Sequence, residues 1–269
     1  MPTHPSRRGF LVTCAACVSG PFFVGRSTFA GQQPASSNRP EATVVDDLVA
    51  ANRILAREQV LDAYGHVSVR RPGVPNRFLL ARSVAPELVT TADLLEYDLD
   101  SNPIDARGRA SYKERFIHSE IYKVRSDVNA IVHCHTPSLI PFGVSNVPLR
   151  PMYHQSAFVA EGVPVFEIRE AAGMTDMLIK DGRLGQALAR TLGRKPATLM
   201  RGHGAVIVGD SIPTAVGRSF YLDLNARLQA QAMALGGKVT YMDPEEARLY
   251  AASDNYDRAW DLWKRQVSR

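Results

Sequence analysis

A short apolar run that ends in two histidines, Ile131-Val132-His133-Cys134-His135, constrains the fold of this chain more than any other feature. The run is typical of a β-strand, in which successive side chains point to opposite faces. His133 and His135 then share one face of the strand, and Cys134 lies on the other. Two imidazoles on one face can bind one transition-metal ion. Because two ordinary strand histidines give the same pattern, a metal site needs a third ligand, an acid/base group and a pocket.

Hydrophobic periodicity predicts both helices and strands along the rest of the chain. Helical spacing covers residues 43–62, 112–125, 179–192, 214–235 and 245–266. Strand-like runs cover residues 65–70, 77–80, 94–99, 163–166, 198–200 and 205–208. The two kinds of element are mixed and do not alternate strictly. This order predicts an α/β fold in which helices cover both faces of a mixed sheet, a three-layer α/β/α arrangement.

The first thirty residues are predicted to be a targeting segment. Arg7-Arg8 precedes an interrupted apolar stretch, and Thr28-Phe29-Ala30 offers the small residues that a signal peptidase reads. This pattern resembles a twin-arginine export signal and predicts a periplasmic protein. We therefore expect a signal peptide at 1–30, a linker at 31–42 and a folded domain at 43–269. The alternatives are a disordered basic N-terminus and a wrongly chosen start codon in a cytoplasmic protein.

The charge of the chain does not indicate nucleic-acid binding. The formal net charge is +5, but Arg7, Arg8 and Arg26 lie in the predicted leader, which leaves +2 for the remainder. No Lys/Arg cluster with interleaved aromatic residues is present in the sequence. The apolar run of the leader is too short for a transmembrane helix, so no membrane attachment is expected after its removal. Outside the leader the chain keeps one cysteine, Cys134, which we expect to be a packing residue rather than a ligand.

His203 is the candidate third ligand. It lies between two glycines in Arg201-Gly202-His203-Gly204, a tight turn between two apolar runs. Glycine permits a tight backbone and a close approach to an ion. A turn without a metal explains the same residues. Three neutral imidazoles leave coordination positions open, as in a catalytic rather than a structural metal site.

Glu114 and His118 are candidate acid/base residues. They lie four residues apart on the predicted helix before the His-x-His strand, and therefore on one helix face. A carboxylate near a three-histidine metal can act as an extra ligand or as a general acid/base. Two simpler interpretations remain open. Glu114 can complete a capping box with Ser111, and Glu-x3-His can be a solvated helix face.

Together these motifs resemble the class II aldolase/adducin superfamily. The resemblance rests on Glu114, on the glycine-led strand at 65–70, and on residues 127–135 and 201–204. It implies a single α/β/α domain with a mixed, mainly antiparallel sheet. It also implies a homotetramer with active sites at the subunit interfaces.

The same resemblance implies one divalent metal ion per subunit. His133, His135 and His203 match the three metal ligands of the superfamily, and Glu114 matches its acid/base residue. Zinc is the first expectation for this ion, and manganese, cobalt and iron are the alternatives.

Two departures from the sugar-phosphate aldolases of the superfamily argue against a phosphate substrate. This chain has His66 where those aldolases carry an Asn that helps to bind phosphate, and residues 81–86 replace their Thr/Ser-Gly phosphate loop. Arg82 suits a carboxylate instead, because a guanidinium can form two parallel hydrogen bonds to it. We therefore predict that His66, Arg82 and Ser83 bind a small acidic substrate. The alternative for Arg82 is a solvent-facing loop residue.

Three segments resemble the decarboxylase branch of the superfamily: residues 82–87, 142–144 and 151–154. This branch acts on acids such as dihydroxyphthalate and 3-carboxy-2-hydroxymuconic semialdehyde. The resemblance implies a metal-dependent carbon–carbon lyase that decarboxylates a hydroxylated aromatic or muconic-type acid through a metal-stabilised enolate. Four side chains are candidates to protonate the carbon: Glu114, His66, His118 and Tyr153. The alternatives are an aldolase that cleaves a non-phosphorylated ketol and a non-catalytic, adducin-like interaction domain.

Overall fold

Seven strands form one sheet in the computed structural model, which describes residues 41–251 and 255–268. In chain order they are β1 (His66–Arg70), β2 (Arg77–Ala81), β3 (Leu94–Asp98), β4 (Ala130–Cys134), β5 (Val165–Phe166), β6 (Ala197–Met200) and β7 (Gly204–Gly209). Across the sheet the order is β3-β2-β1-β4-β7-β6-β5. All neighbouring strands are antiparallel except β5 and β6. The prediction of a mixed, mainly antiparallel sheet is confirmed.

Helices cover both faces of this sheet. They are α1 (Glu41–Arg57), α2 (Phe116–Val124), α3 (Ile140–Val144), α4 (Ile168–Ala172), α5 (Gly182–Leu192), α6 (Ile212–Ala234), α7 (Pro244–Ala251) and α8 (Asp257–Val267). Apolar side chains of α1, α6 and α8 pack in one core with the sheet, and those of α2 and α5 pack in another. The predicted three-layer α/β/α arrangement is therefore confirmed.

Strand β4 lies between β1 and β7, and its side chains alternate as the sequence predicts. Val132 and Cys134 pack in the core that contains α1 and α6, whereas Ile131 packs in the core that contains α2 and α5. Cys134 is fully buried, so its prediction as a packing residue is confirmed. His133 shares the face of Ile131 and is presented to the layer of α2.

The first helix differs from its predicted extent of 43–62. It begins at Glu41, two positions before the predicted start of the helix at residue 43, and it ends at Arg57. After it, the Asp62 carboxylate accepts hydrogen bonds from the backbone N–H groups of Tyr64 and Gly65, both at 2.9 Å. Such side-chain bonds to the backbone stabilise a turn in place of a further helical turn.

The helix predicted at 245–266 is formed as two helices, α7 and α8. Residues 255–256 between them are not helical. The side-chain oxygen of Asn255 accepts a 2.7 Å hydrogen bond from the N–H of Asp257, the first residue of α8. A helix start needs such an acceptor for its free N–H groups, and this local bond is compatible with a break in the predicted helix.

The predicted export signal at 1–30 and the linker up to residue 40 lie outside the described residues. The leader, the domain limits and the periplasmic location therefore stay predictions. Within residues 41–251 and 255–268, none of the helices has the length and apolar character needed to cross a membrane.

The turn between β6 and β7 depends on two glycines that flank His203. Gly202 has a φ of 63°, a conformation that favours glycine. A Cβ atom on Gly204 would lie 2.0 Å from the carbonyl oxygen of Cys134 in β4. The close approach at Gly204 is therefore to the backbone of a neighbouring strand. It brings His203 beside the end of β4.

We expect Gly204→Ala to destabilise the protein. The added methyl group forces β7 away from β4, and overpacking of this kind costs about 1–3 kcal/mol of the free energy of unfolding. Denaturant-induced unfolding followed by circular dichroism measures the change. Gly237→Ala is the matched control, because nothing lies within 4 Å of its added Cβ. Equal stability of the two variants would contradict the assigned contact.

Candidate metal centre

Four potential metal ligands converge beside the end of β4: Glu114, His133, His135 and His203. One ligand atom of each residue lies within 4.8 Å of the others. The Nε2 atom of His135 is 3.0 Å from Nε2 of His133 and 3.2 Å from Nε2 of His203. The Oε2 atom of Glu114 is 3.4 Å from Nε2 of His133 and 3.4 Å from Nε2 of His203. The structure thus brings together the three predicted ligands and the predicted acid/base residue.

The spacing of these atoms fits one metal ion. In a tetrahedral site with metal–nitrogen distances of about 2.05 Å, the ligand atoms lie about 3.3 Å apart. The four spacings given above run from 3.0 to 3.4 Å. Unprotonated imidazole nitrogens repel each other at this distance because their lone pairs face one another, and a cation between them removes the repulsion. The cluster could therefore hold a divalent metal ion.

Backbone carbonyl groups fix the tautomer of two of the histidines. Nδ1 of His133 is 3.1 Å from the carbonyl oxygen of Ala205 in β7. Nδ1 of His203 is 3.0 Å from the carbonyl oxygen of Met177. Because a carbonyl oxygen only accepts, each Nδ1 carries a proton, and the neutral form of each ring has its lone pair on Nε2. The lone pairs are therefore on the atoms that face the other ligands.

Asp62 has the same role for His135, and the sequence pattern did not indicate it. Nδ1 of His135 is 3.1 Å from Oδ1 of Asp62. Burial raises the pKa of Asp62, but hydrogen bonds from Tyr64, His135 and Gly65 together lower it by more. The pKa of Asp62 is therefore below its usual value. An ionised Asp62 orients the ring of His135 and increases its basicity. The local signal, an Asp three residues before a Gly, indicates only a turn.

Glu114 is positioned by a backbone group from a distant segment. Its Oε1 accepts a 2.8 Å hydrogen bond from the N–H of Ile179, and its side chain is 10% exposed. Burial raises the pKa of Glu114, whereas the neighbouring His133 and His203 lower it by more, so the pKa lies well below its usual range. The carboxylate is ionised at neutral pH. It can bind a cation or take up a proton.

The two simpler interpretations of Glu114 are wrong. Glu114 lies in a 3₁₀ turn with φ −90° and ψ 18°, so the helix predicted at 112–125 begins only at Phe116. Ser111 does not cap this turn, because the residue at its N-cap position is Tyr112 and no side chain accepts a capping hydrogen bond there. A solvated helix face is excluded as well, since Glu114 and His118 are both buried. Tertiary contacts override the local capping pattern here.

His66 and His118 lie side by side next to His133. The ring centroid of His66 is 5.1 Å from that of His133, and the two residues are paired in the β1/β4 register. Nε2 of His118 is 2.7 Å from Nδ1 of His66. Burial lowers the pKa of both rings, to about 3 for His118. Both histidines are neutral near pH 7, and their predicted roles in substrate binding and catalysis stay predictions.

Tyr112 connects the predicted carboxylate-binding loop to the cluster. Its hydroxyl donates a hydrogen bond to a backbone carbonyl of that loop, and its ring centroid is 4.5 Å from that of His66. Nε of Arg82 is 2.6 Å from Oδ1 of Asp93, and the Arg82 side chain is 39% exposed. The side chain of Ser83 is exposed. An acidic substrate would share Arg82 with Asp93, and the roles of Arg82 and Ser83 stay predictions.

Tyr153 contacts a different part of the domain. Its ring centroid is 5.8 Å from that of His154. Its hydroxyl oxygen is buried and has no hydrogen-bond partner within the part of the chain that is described. Burial raises the pKa of Tyr153 far above its usual value. The proposed catalytic role of Tyr153 stays a prediction.

Known proteins resemble this chain across the whole candidate site. Residues 46–230, which include all four candidate ligands, match the family described as Class II Aldolase and Adducin N-terminal domain. Decarboxylase tropJ of Talaromyces stipitatus is 34% identical over 255 residues, which are 86% of this chain and 96% of that protein. A 3,4-dihydroxyphthalate decarboxylase of Arthrobacter keyseri is 27% identical over 231 residues, 79% of this chain and 89% of that protein.

A solved structure also shares the fold. An aldolase II superfamily protein from Pseudomonas syringae superimposes with a TM-score of 0.71 at 25% sequence identity. The superposition covers 85% of this chain and 93% of that chain. The architecture of the sheet and its two helical layers is therefore that of a known fold.

We expect Asp62→Asn to weaken the binding of zinc. The substitution keeps the shape of the side chain but removes the negative charge beside Nδ1 of His135. Loss of such a partner typically costs about 10–100-fold in metal affinity. Competition with a chromophoric chelator measures the affinity. Asp46→Asn is the control, because Asp46 is exposed in α1. Equal zinc affinity of the two variants would be inconsistent with the assigned role of Asp62.

Proposed function

This chain belongs to the class II aldolase and adducin family, and we propose that it is a divalent-metal-dependent decarboxylase of a hydroxylated carboxylic acid. Its family and its relatives that are named decarboxylases support a lyase enzyme. The observation that carries the proposal is the convergence of three imidazole Nε2 atoms and one carboxylate oxygen with the spacing of a single coordination sphere. Such a site can stabilise the negative charge that forms when a bond between two carbon atoms breaks.

His133, His135 and His203 are proposed to hold one divalent ion per subunit. Their Nδ1 atoms donate to acceptors, so their Nε2 atoms are ready to bind without a change of tautomer. Three imidazoles and a carboxylate suit zinc first, and also manganese, cobalt or iron. When bound, the ion would supply Lewis acidity to the negative charge that develops as CO2 leaves.

Glu114 is proposed to move the proton of the reaction. Its Oε1 is held by Ile179 N–H, whereas Oε2 faces the histidine cluster. The ionised carboxylate accepts the proton of the substrate hydroxyl group. Glu114 then passes this proton to the carbon that carries the carboxylate, which forms the new C–H bond and a keto group at the former hydroxyl. The bond from that carbon to the carboxylate breaks, CO2 leaves, and the electron pair of the broken bond forms the enolate.

The substrate is proposed to be a small aromatic or muconic-type acid with a hydroxyl group next to a carboxylate. The dihydroxyphthalate decarboxylase of Arthrobacter keyseri acts on an acid of this kind. Arg82 supports a second carboxylate, because its partly exposed guanidinium lies in the loop that Tyr112 connects to the cluster. An aldolase acting on a non-phosphorylated ketol is the second candidate, and the family membership supports it because both reactions pass through an enolate.

Two further properties complete the proposal. We propose a homotetramer, which the family resemblance supports, and export to the periplasm, which the twin-arginine pattern at residues 1–30 supports. Analytical ultracentrifugation tests the first, and fractionation of cells that express the full chain tests the second.

Release of CO2 distinguishes the decarboxylase from the aldolase. We expect the zinc-loaded protein to release CO2 from 3,4-dihydroxyphthalate or a related hydroxylated aromatic or muconic acid, without forming an aldehyde. Manometric or coupled detection of CO2 and a carbonyl assay run on the same samples measure both products. Aldehyde from a ketol, with no CO2 from any of these acids, would favour the aldolase. Native protein without a stoichiometric divalent ion or either activity would favour an adducin-like interaction domain.

His203→Ala is expected to remove both metal and activity. The variant lacks one of three imidazole ligands, so its zinc content and its rate of CO2 release fall by at least about 100-fold, beyond what loss of an outer partner causes. Elemental analysis after dialysis measures the zinc. His154→Ala is the control, because His154 is exposed and lies outside the cluster. Full zinc content in His203→Ala would show that His203 is not a ligand.

A further inference from the structure

A buried hydrogen-bonded network of four side chains ends at His66. Nδ1 of His66 is 2.7 Å from Nε2 of His118. Nδ1 of His118 is 2.6 Å from Oγ of Ser68, and this Oγ is 2.8 Å from the hydroxyl oxygen of Tyr122. We refer to these four residues, His66, His118, Ser68 and Tyr122, as the buried network. None of its members belongs to the candidate metal ligands.

The buried network forms where one face of β1 meets one face of α2. His66 and Ser68 are two residues apart on β1, and therefore on the same side of the strand. His118 and Tyr122 are four residues apart on α2, and therefore on the same side of the helix. The two pairs interdigitate, so each strand residue contacts a helix residue. Nothing in the local sequence of either element indicates the other.

All four side chains of the buried network are shielded from water and uncharged. His118 and Ser68 have no exposed surface, and His66 and Tyr122 are 1% and 2% exposed. Burial raises the pKa of the Tyr122 hydroxyl far above its usual value and lowers the pKa of His118 to about 3. The four groups of the network are therefore neutral. The only property of each hydrogen bond that can still vary is which of its two atoms is the donor.

Neutral groups in this order can arrange their hydrogen bonds in two directions. In the first, Tyr122 donates to Ser68, Ser68 donates to Nδ1 of His118, and Nε2–H of His118 donates to Nδ1 of His66. His66 then carries its proton on Nε2. In the second, every bond is reversed, and His66 carries its proton on Nδ1.

The reversed direction needs an acceptor for the hydroxyl of Tyr122. The available oxygen is the carbonyl of Asn129, which is 3.4 Å away and already accepts a 2.7 Å hydrogen bond from the N–H of Arg70. A hydroxyl bond of 3.4 Å is long, since O–H···O bonds in proteins are typically about 2.7–2.8 Å. The 2.8 Å contact with Ser68 is normal. The geometry therefore favours donation from Tyr122 to Ser68. Ser68 then donates its own proton to Nδ1 of His118, the other atom that its Oγ contacts, and this is the first direction.

We propose that Tyr122, Ser68 and His118 hold His66 in place and fix its proton on Nε2, so that His66 is a neutral hydrogen-bond donor to a substrate oxygen at the metal centre. The His66 ring packs against the ring of His133, a candidate ligand. Its Nε2 has no hydrogen-bond partner among the residues that are described. His118, Ser68 and Tyr122 act through His66 and are positioning residues.

The assignment of a substrate to His66 rests on the proposed decarboxylase function. A fixed N–H group donates only to an atom with a lone pair, such as a carboxylate or an enolate oxygen. A neutral donor also stabilises negative charge as it develops, without a change in its own charge. The buried network thus favours a carboxylate or enolate oxygen over a group that can only donate, such as an ammonium group.

The tautomers of His66 and His118 are measurable without any substrate. Solid-state NMR of the zinc-loaded protein, labelled with nitrogen-15 at histidine, distinguishes protonated from unprotonated ring nitrogens. We expect Nδ1 to be unprotonated and Nε2 protonated in both rings. Spectra of His66→Asn and His118→Asn identify the two sets of signals. A protonated Nδ1 in either ring would overturn the proposal. Because no reaction is measured, this result is independent of the proposed function.

Ser68→Ala tests whether the network affects catalysis. Removal of the hydroxyl leaves Nδ1 of His118 without its donor, so we expect a second His118 tautomer in the spectrum and a fall in kcat of about 10-fold, as for other outer partners of active-site groups. Ser119→Ala is the control, because Ser119 is a buried hydroxyl of the same helix that bonds to Ser101.

Two results would contradict the role of Ser68. One is an unchanged kcat together with an unchanged His118 spectrum in Ser68→Ala. The other is an equal fall of kcat in Ser68→Ala and Ser119→Ala without a change of tautomer, because this indicates a general loss of packing. If the wild-type protein releases no CO2 from any acid, the proposed function fails, whereas the tautomer assignment is still decided by the spectra.

Discussion

The approach of the Nε2 atoms of His133 and His135 to 3.0 Å is the interaction on which the rest of the site depends. Two lone pairs at this distance repel each other. The ionised carboxylate of Glu114 lies close by, and a positive charge between these groups would be attracted to all of them. Each ring is held in this position by an acceptor on its other nitrogen. The fold therefore stabilises an arrangement of side chains that is unfavourable by itself and favourable around a cation.

The antiparallel order β1-β4-β7 produces this arrangement. Strand β4 carries His133 one residue before its end. Its two neighbours, β1 and β7, bring His66 and the His203 turn to the same end of the strand. The approach of Gly204 to the β4 backbone lets the turn come close enough for His203 to join the cluster. Glu114 reaches the cluster from the 3₁₀ turn before α2, the helix layer that His133 faces.

The site contains ionised carboxylates beside the candidate ligands and neutral, buried groups next to them. Asp62 and Glu114 carry negative charge on the ligand side, where their pKa values are lowered. His118 and Tyr122, on the side of α2, are buried and neutral. A carboxylate next to a cation and a neutral donor next to a developing anion are the two electrostatic requirements of enolate chemistry. The proposed decarboxylation uses both the ionised carboxylates and the neutral groups.

The sequence by itself determined the elements and the identity of the candidate ligands. The two-residue period of the apolar run placed His133 and His135 on one face, the glycines marked the His203 turn, and the mixture of helices and strands indicated three layers. Only the tertiary structure decided the partners that orient these ligands, because those contacts join distant segments. Asp62 is 73 residues from His135, and Ile179 is 65 residues from Glu114. Local capping rules failed at Glu114 for this reason: the N–H of Ile179, which no sequence pattern places nearby, binds its carboxylate.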